Sequence, residues 1–169
     1  MGLSNAISGG IILFGITYVV YAFVGITDGA SSFSEISSQK SDLENTLLKT
    51  SINVTINDPP GTDSTFSFEI TNTNLEKLWD FDKFDVIITY DNSGTTYTEN
   101  MVYNSTCPPV AGQWCIKTWT NDVLDPEILN NGETITIDTQ VNHNLQNNRD
   151  LIVTVSTPNG VVSSATIVV

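Results

Sequence analysis

The sequence predicts an α+β protein, in which a long N-terminal transmembrane helix is followed by an antiparallel immunoglobulin-like β-sandwich. Residues 1–27 contain no charged side chain, and Asp28 is the first. Residues 51–169 contain short alternating segments rich in Val, Ile and Thr, separated by turn residues, which is typical of a sandwich. We therefore divide the chain into an anchor (1–27), an amphipathic helical stalk (28–50) and an extracytoplasmic β-sandwich domain (51–169).

The anchor is long enough to cross a membrane. Residues 6–26 are almost all apolar, and about 20 such residues are needed to span the hydrocarbon core of a bilayer. No Lys or Arg precedes Lys40, whereas a cleaved secretory signal begins with a basic segment and ends at a small-residue site. We expect this helix to stay in the mature protein, with packing residues at Ile11, Ile12, Leu13 and Phe14.

The stalk is predicted to continue the same helix. Phe33, Ile36, Leu43 and Leu47 are spaced by three, seven and four residues, which places them on one helix face. One helix is therefore expected from about residue 5 to residue 49, with a kink near Gly25 or Gly29. The apolar face has two candidate partners, the protein's own β-domain and the same helix of neighbouring subunits.

The β-domain is predicted to contain seven to nine short strands. Alternating segments occur at 51–57, 64–72, 84–90, 95–103, 114–120, 133–139, 150–156 and 163–169. Turn residues lie between them, at 58–61, 92–94, 125–126, 131–132 and 158–160. A barrel or a jelly roll is the alternative to the sandwich.

Composition and motifs argue against an enzyme and against nucleic-acid binding. The chain has 19 acidic and 6 basic residues and a net charge of −13, so it would repel a phosphate backbone. The single histidine, His143, lies in a polar loop and is expected to be solvated. Asp80, Asp82 and Asp85 supply too few oxygen ligands for calcium. We predict no catalytic residues, no metal site and no cofactor.

The cysteines and two tripeptides favour an oxidising location outside the cytoplasm. Cys107 and Cys115 enclose a short segment with two prolines and a glycine, which fits a disulfide that closes a loop, with free thiols as the alternative. Asn53 and Asn104 each begin an Asn-X-Thr tripeptide and are predicted N-glycosylation acceptors.

Several stretches together resemble a known family. The uncharged N-terminal helix followed directly by a β-sandwich is similar to archaeal type IV pilin-like proteins. The start MGLSNAISGGIILFGITYVVYAF resembles that of the archaellum (archaeal flagellum) accessory proteins FlaF and FlaG. Residues 70–89 resemble a strand–turn–strand motif of that family, residues 119–133 its N-D-x-x-x-P-x-x-L-N-P-G-E motif, and residues 157–161 its closing hairpin.

The resemblance implies a non-catalytic stator that is anchored in the cytoplasmic membrane. Its sandwich would lie outside the membrane and bind the surface-layer protein, and the chain would form homo- or hetero-oligomers with other archaellum stator or filament subunits. The alternative is a filament-forming subunit, an archaellin or an adhesive pilin, that polymerises through its N-terminal helix. The polar stretch 31–44 favours the stator, because a long filament core needs apolar residues on all sides.

Overall fold

A computed structural model describes residues 2–57 and 60–169, and the side chains of all of these except residues 2–6 and 25–30. The chain divides into two compact units, one ending at Glu44 and the other covering Asn45–Val169. Helix residues 45–49 therefore belong to the same compact unit as the strands.

The first element is one helix, α1 (Gly2–Lys49), of 48 residues. At 1.5 Å per residue it is about 72 Å long. Helical hydrogen bonding continues through residues 25–30, so the backbone is not interrupted at the predicted kink. The helix ends at Lys49. The backbone N–H of the next residue, Thr50, donates to the Thr46 carbonyl (3.0 Å), and its hydroxyl donates to the same oxygen (2.8 Å).

In the part of the chain that the structure describes, eight strands follow, and each overlaps a predicted segment. They are β1 (Ile52–Thr55), β2 (Thr65–Asn72), β3 (Asp85–Asn92), β4 (Thr95–Tyr103), β5 (Gln113–Thr120), β6 (Thr134–Gln140), β7 (Asp150–Ser156) and β8 (Val162–Val168). A short 3₁₀ turn (Phe81–Lys83) precedes β3. The predicted turn at 58–61 begins outside the described residues.

The turn between β3 and β4 explains why these strands pair so closely. Ser93 and Gly94 have φ values of +50° and +82°, and positive φ at both central residues defines a type I′ turn. This turn matches the twist of a two-residue hairpin. Seven consecutive residue pairs follow it, from Asn92 opposite Thr95 to Val86 opposite Met101.

The strands form a nearly closed sandwich in the order β1-β2-β6-β5-β4-β3-β7-β8. Neighbouring strands are antiparallel, as predicted, except β4 and β5, which pair in parallel at Val102–Gln113 and Tyr103–Trp114. The two outermost strands approach each other, since the Val54 N–H donates to the Ser163 hydroxyl (3.3 Å). The architecture thus combines features of the predicted sandwich and of the barrel alternative.

Alternation along the strands fills the interior of the sandwich. In β3, Val86 and Ile88 are fully buried whereas Ile87 between them is 37% exposed, as expected for a period of two residues. The largest fully buried side chains are Trp114, Tyr90, Phe68, Ile70, Ile88, Leu129, Ile135, Ile137 and Leu151.

Candidate interaction surfaces

The inner half of the helix is apolar on every side. An 18-residue stretch, Ile7–Val24, has a mean hydropathy of 2.0 and is long and apolar enough to cross a membrane. The predicted packing residues Ile11, Ile12, Leu13 and Phe14 are between 62% and 77% exposed. Four consecutive residues cover the circumference of a helix, so this half needs an apolar environment all round.

The outer half of the helix is polar except for one face and for Leu48 near its end. Phe33, Ile36 and Leu43 are 75%, 64% and 58% exposed, and Leu47 is 37% exposed. The i,i+4 pair Lys40–Glu44 joins at 3.6 Å on the helix surface. The exposed apolar side chains therefore form a narrow strip in an otherwise hydrophilic segment.

The end of the helix is hydrogen-bonded to loops of the sandwich. The Asn74 side-chain amide donates to the Leu48 carbonyl (2.9 Å), and the Glu76 N–H donates to the Lys49 carbonyl (3.0 Å). The Asn159 amide donates to the Thr50 hydroxyl (3.2 Å). Carbonyls at a helix C-terminus have no partner within the helix, so these bonds fix the last turn to the β-domain.

A buried carboxylate organises the loop between β5 and β6. Glu133 is 4% exposed and accepts bonds from the Asn130 N–H (2.8 Å), the Asn130 side-chain amide (3.1 Å) and the N–H groups of Val123 and Leu124. Burial alone would raise the pKa of Glu133, but these donors outweigh it and lower the pKa below its ordinary value of 4.5. The Glu133 carboxylate is thus charged, and in that form it holds the loop in place.

We expect Glu133→Gln to destabilise the sandwich by about 1–3 kcal/mol near neutral pH, because N–H donors lose a charged acceptor in a buried site. Because its folded pKa is lowered, Glu133 contributes stability above pH 4.5, and that stability is lost as pH falls through the folded value. The difference in unfolding free energy between the wild type and Glu133→Gln should therefore be smaller at acidic pH than near neutral pH. Urea denaturation of residues 45–169 at both pH values measures it. An equal difference at the two pH values would contradict this role.

A second network joins the loop after β6 to the hairpin of β3 and β4. The Tyr90 hydroxyl donates to the Glu99 carboxylate, which also accepts from the Asn142 side-chain amide (2.8 Å). Burial, together with Glu99, raises the pKa of Tyr90, so the phenol remains a donor. His143 stacks on Tyr97 with ring centroids 4.3 Å apart and its side chain is 46% exposed. The predicted solvated histidine is therefore partly packed.

The cysteines lie where the chain turns from β4 to β5. Cys107 and Cys115 form a disulfide, with Cys115 fully buried and Cys107 exposed. Tyr103 packs on Trp114 beside it, with ring centroids 4.8 Å apart. The bridge ties the exposed loop to the core at the short parallel pairing of β4 and β5.

This architecture has counterparts among solved structures. A chain of the archaeal flagellum of Methanospirillum hungatei strain JF1 matches with a TM-score of 0.57 and 14% identity, over 96% of this chain and 92% of that chain. The chain has the fold of an archaellum protein. No family model matches the sequence, and no curated protein is significantly similar.

Two further matches come from Sulfolobus acidocaldarius. The archaellum periplasmic stator protein FlaG matches with a TM-score of 0.48 and 19% identity, over 69% of this chain and 100% of that chain. The FlaF–FlaG stator complex matches with the same TM-score and identity, over 68% of this chain and 88% of that chain. At these identities the likeness concerns the fold alone.

The described residues offer no metal centre. Among the residues whose side chains the structure describes, no group of three His, Cys, Asp or Glu side chains could hold a metal ion. Asp80 instead bonds to Lys83 at 2.8 Å, and hydrogen bonding and charge from Asp80 raise the pKa of that lysine. What the domain presents to partners is an acidic surface, with 15 acidic and 5 basic residues in 45–169.

The two predicted glycosylation sites differ in accessibility. Asn53 lies exposed on β1, and its amide contacts the Thr55 hydroxyl of its own tripeptide (3.3 Å). Asn104 is half-buried, and its amide donates to the Gln113 side chain (2.9 Å). The Asn104 side-chain oxygen also accepts from the Thr106 N–H (3.1 Å).

We expect the occupancy of glycan to be higher at Asn53 than at Asn104, because Asn53 is exposed whereas Asn104 is half-buried and its amide is held by Gln113, a residue outside its own tripeptide. Mass spectrometry of peptides from protein purified from its natural host measures both sites. Asn53→Gln and Asn104→Gln serve as matched controls, each removing one site. Higher occupancy at Asn104 would contradict the prediction.

Proposed function

We propose that this chain is a structural, non-catalytic component of an archaellum, in which it acts as a stator that ties the motor to the surface layer. Residues 7–24 anchor it in the cytoplasmic membrane, and the β-sandwich lies outside and binds surface-layer protein. The observation that carries this proposal is the helix, which is apolar in its inner half, mostly polar in its outer half and fixed to the sandwich by its last turn.

The connection at Thr50 suits a part that transmits force. Asn74, Glu76 and Asn159 bond the last turn of the helix and Thr50 from two separate loops. A pull on the sandwich is therefore passed to the last turn of the helix through these bonds. The end-to-end likeness to an archaeal flagellum chain supports a place in the same kind of assembly.

Binding to the envelope can be tested with the sandwich alone. We expect residues 45–169 to co-sediment saturably with isolated surface-layer sheets from the source cells. A salt series separates charge-driven binding, which weakens as ionic strength rises, from apolar contact. An unrelated folded protein of equal net charge is the control for non-specific association. Absence of saturable binding, or equal binding by the control, would overturn the stator proposal.

A filament-forming subunit is the second candidate. The observation in its favour is that the likeness to the archaeal flagellum chain covers 96% of this chain and so includes the helix. If this candidate is right, full-length protein released from detergent assembles into filaments visible by electron microscopy, while residues 45–169 stay monomeric. Failure to form filaments together with saturable surface-layer binding would reject it.

A further inference from the structure

One stripe of the helix consists of apolar or small residues at heptad spacing, with one charged member, Lys40. Spacings of three and four alternate along it for five heptads, and a heptad pattern sustained over at least about three to four heptads indicates a coiled coil. In the sequence, Ile26 and Gly29 continue the same spacing between Ala22 and Phe33. Its described positions are Ile12, Gly15, Val19, Ala22, Phe33, Ile36, Lys40, Leu43 and Leu47.

We infer that this stripe is the contact between two copies of the chain, whose helices run parallel and in register as a coiled coil. The inference rests on the membrane insertion of residues 7–24 from the proposed function, but not on the stator role. Two copies anchored at the same end are necessarily parallel. Each then presents the same stripe to the other, which gives a two-fold symmetric, closed contact.

The outer half of the helix supplies the first argument. Between residues 31 and 49, every apolar side chain except Leu48 lies on the stripe. Phe33, Ile36 and Leu43 are more than half exposed, although this segment is otherwise polar. In water, apolar residues at heptad spacing are buried by a second helix with the same spacing. The self-complementary partner is a second copy.

The inner half supplies an independent argument from residue size. Each heptad contributes two residues to the stripe, a first (a) and, three residues later, a second (d). The d residues are Gly15 and Ala22 in the apolar half of the helix, but Ile36 and Leu43 in the polar half. In lipid, helices associate through small residues that let the backbones approach, whereas in water large apolar residues provide the driving force. The stripe therefore has small residues where a membrane-anchored pair would lie in lipid, and large apolar residues where the pair would lie in water.

Lys40 sets the register of the pair. It occupies an a position within the stripe, and a single polar residue at such a position specifies register and oligomeric state at a cost in stability. Its ammonium group lies 3.6 Å from Glu44, which flanks the stripe. In a parallel pair in register the two Lys40 side chains are at the same level, and each has its own carboxylate close by.

Cysteine cross-linking in the full-length protein tests the pairing. Leu43→Cys introduces a thiol on the stripe, and Ser38→Cys introduces one at an exposed position away from it. In an in-register pair the two thiols introduced at position 43 come within disulfide reach, so oxidation in phosphatidylcholine vesicles should cross-link them at least about tenfold faster than those at position 38. The native cysteines are paired with each other, and alkaline carbonate extraction verifies that both variants are inserted.

Equal cross-linking at the two positions, or none at position 43 in inserted protein, would overturn the inference. A second variant keeps the result specific: Ile36→Asp with Leu43→Asp should abolish the dimer in cross-linker assays, whereas Ser34→Asp with Ser41→Asp should leave it. Staggered filament packing would instead cross-link positions off the stripe. Surface-layer binding by residues 45–169 is measured without the helix, so failure of the pairing and failure of the stator role are distinguishable.

Discussion

Trp114→Ala is expected to destabilise the β-sandwich by about 3–5 kcal/mol, a large part of the stability of a domain of this size. Trp114 is fully buried, packs against Tyr103 and lies next to the disulfide. Removing its ring leaves a cavity between β4 and β5, where only two residue pairs join the strands.

Urea denaturation of residues 45–169, followed by far-UV circular dichroism, measures the effect. Trp79→Ala is the matched control, because Trp79 is 55% exposed and its removal should change stability by less than about 0.5 kcal/mol. Trp114→Phe should cost less than Trp114→Ala, since the indole N–H has no hydrogen-bond partner among the described residues. Similar losses for Trp79→Ala and Trp114→Ala would contradict this account.

The strands could be predicted because their signal is local. Val86, Ile88 and Tyr90 are buried while the residues between them face outwards, and the alternation is visible in the sequence itself. Ser93 and Gly94 are turn-forming residues, so the turn between β3 and β4 could also be predicted from the local sequence. The helix could be predicted as well, since the chain contains no proline before Pro59.

Strand order and the buried polar networks could not be predicted because they depend on contacts distant in sequence. The parallel pairing of β4 with β5 leaves no local pattern. Glu133 follows an ordinary Asn-Gly turn in the sequence. It becomes a hydrogen-bond acceptor for this loop because the chain brings the backbone N–H groups of Val123 and Leu124 back to its carboxylate.

Placing two arginines in the apolar half of the helix should release the protein from the membrane. Leu13 and Val20 are 70% and 57% exposed, and they lie one heptad apart, off the inferred pairing stripe. An arginine near the centre of a membrane helix costs about 2.5–3.5 kcal/mol for insertion. We therefore expect Leu13→Arg with Val20→Arg to move full-length protein from the carbonate-resistant pellet to the soluble fraction.

Ser34→Arg with Ser41→Arg is the matched control, because it adds the same charge on the same helix face but beyond the apolar stretch. That variant should stay in the membrane, as arginine there remains in water. Flotation through a density gradient separates membrane-bound protein from filaments, which also sediment. If the Leu13→Arg, Val20→Arg variant floated with lipid as fully as the control, residues 7–24 would not be the anchor. If the wild type instead sedimented without lipid, the helix would be packed against copies of itself, and the filament alternative would take the place of the stator.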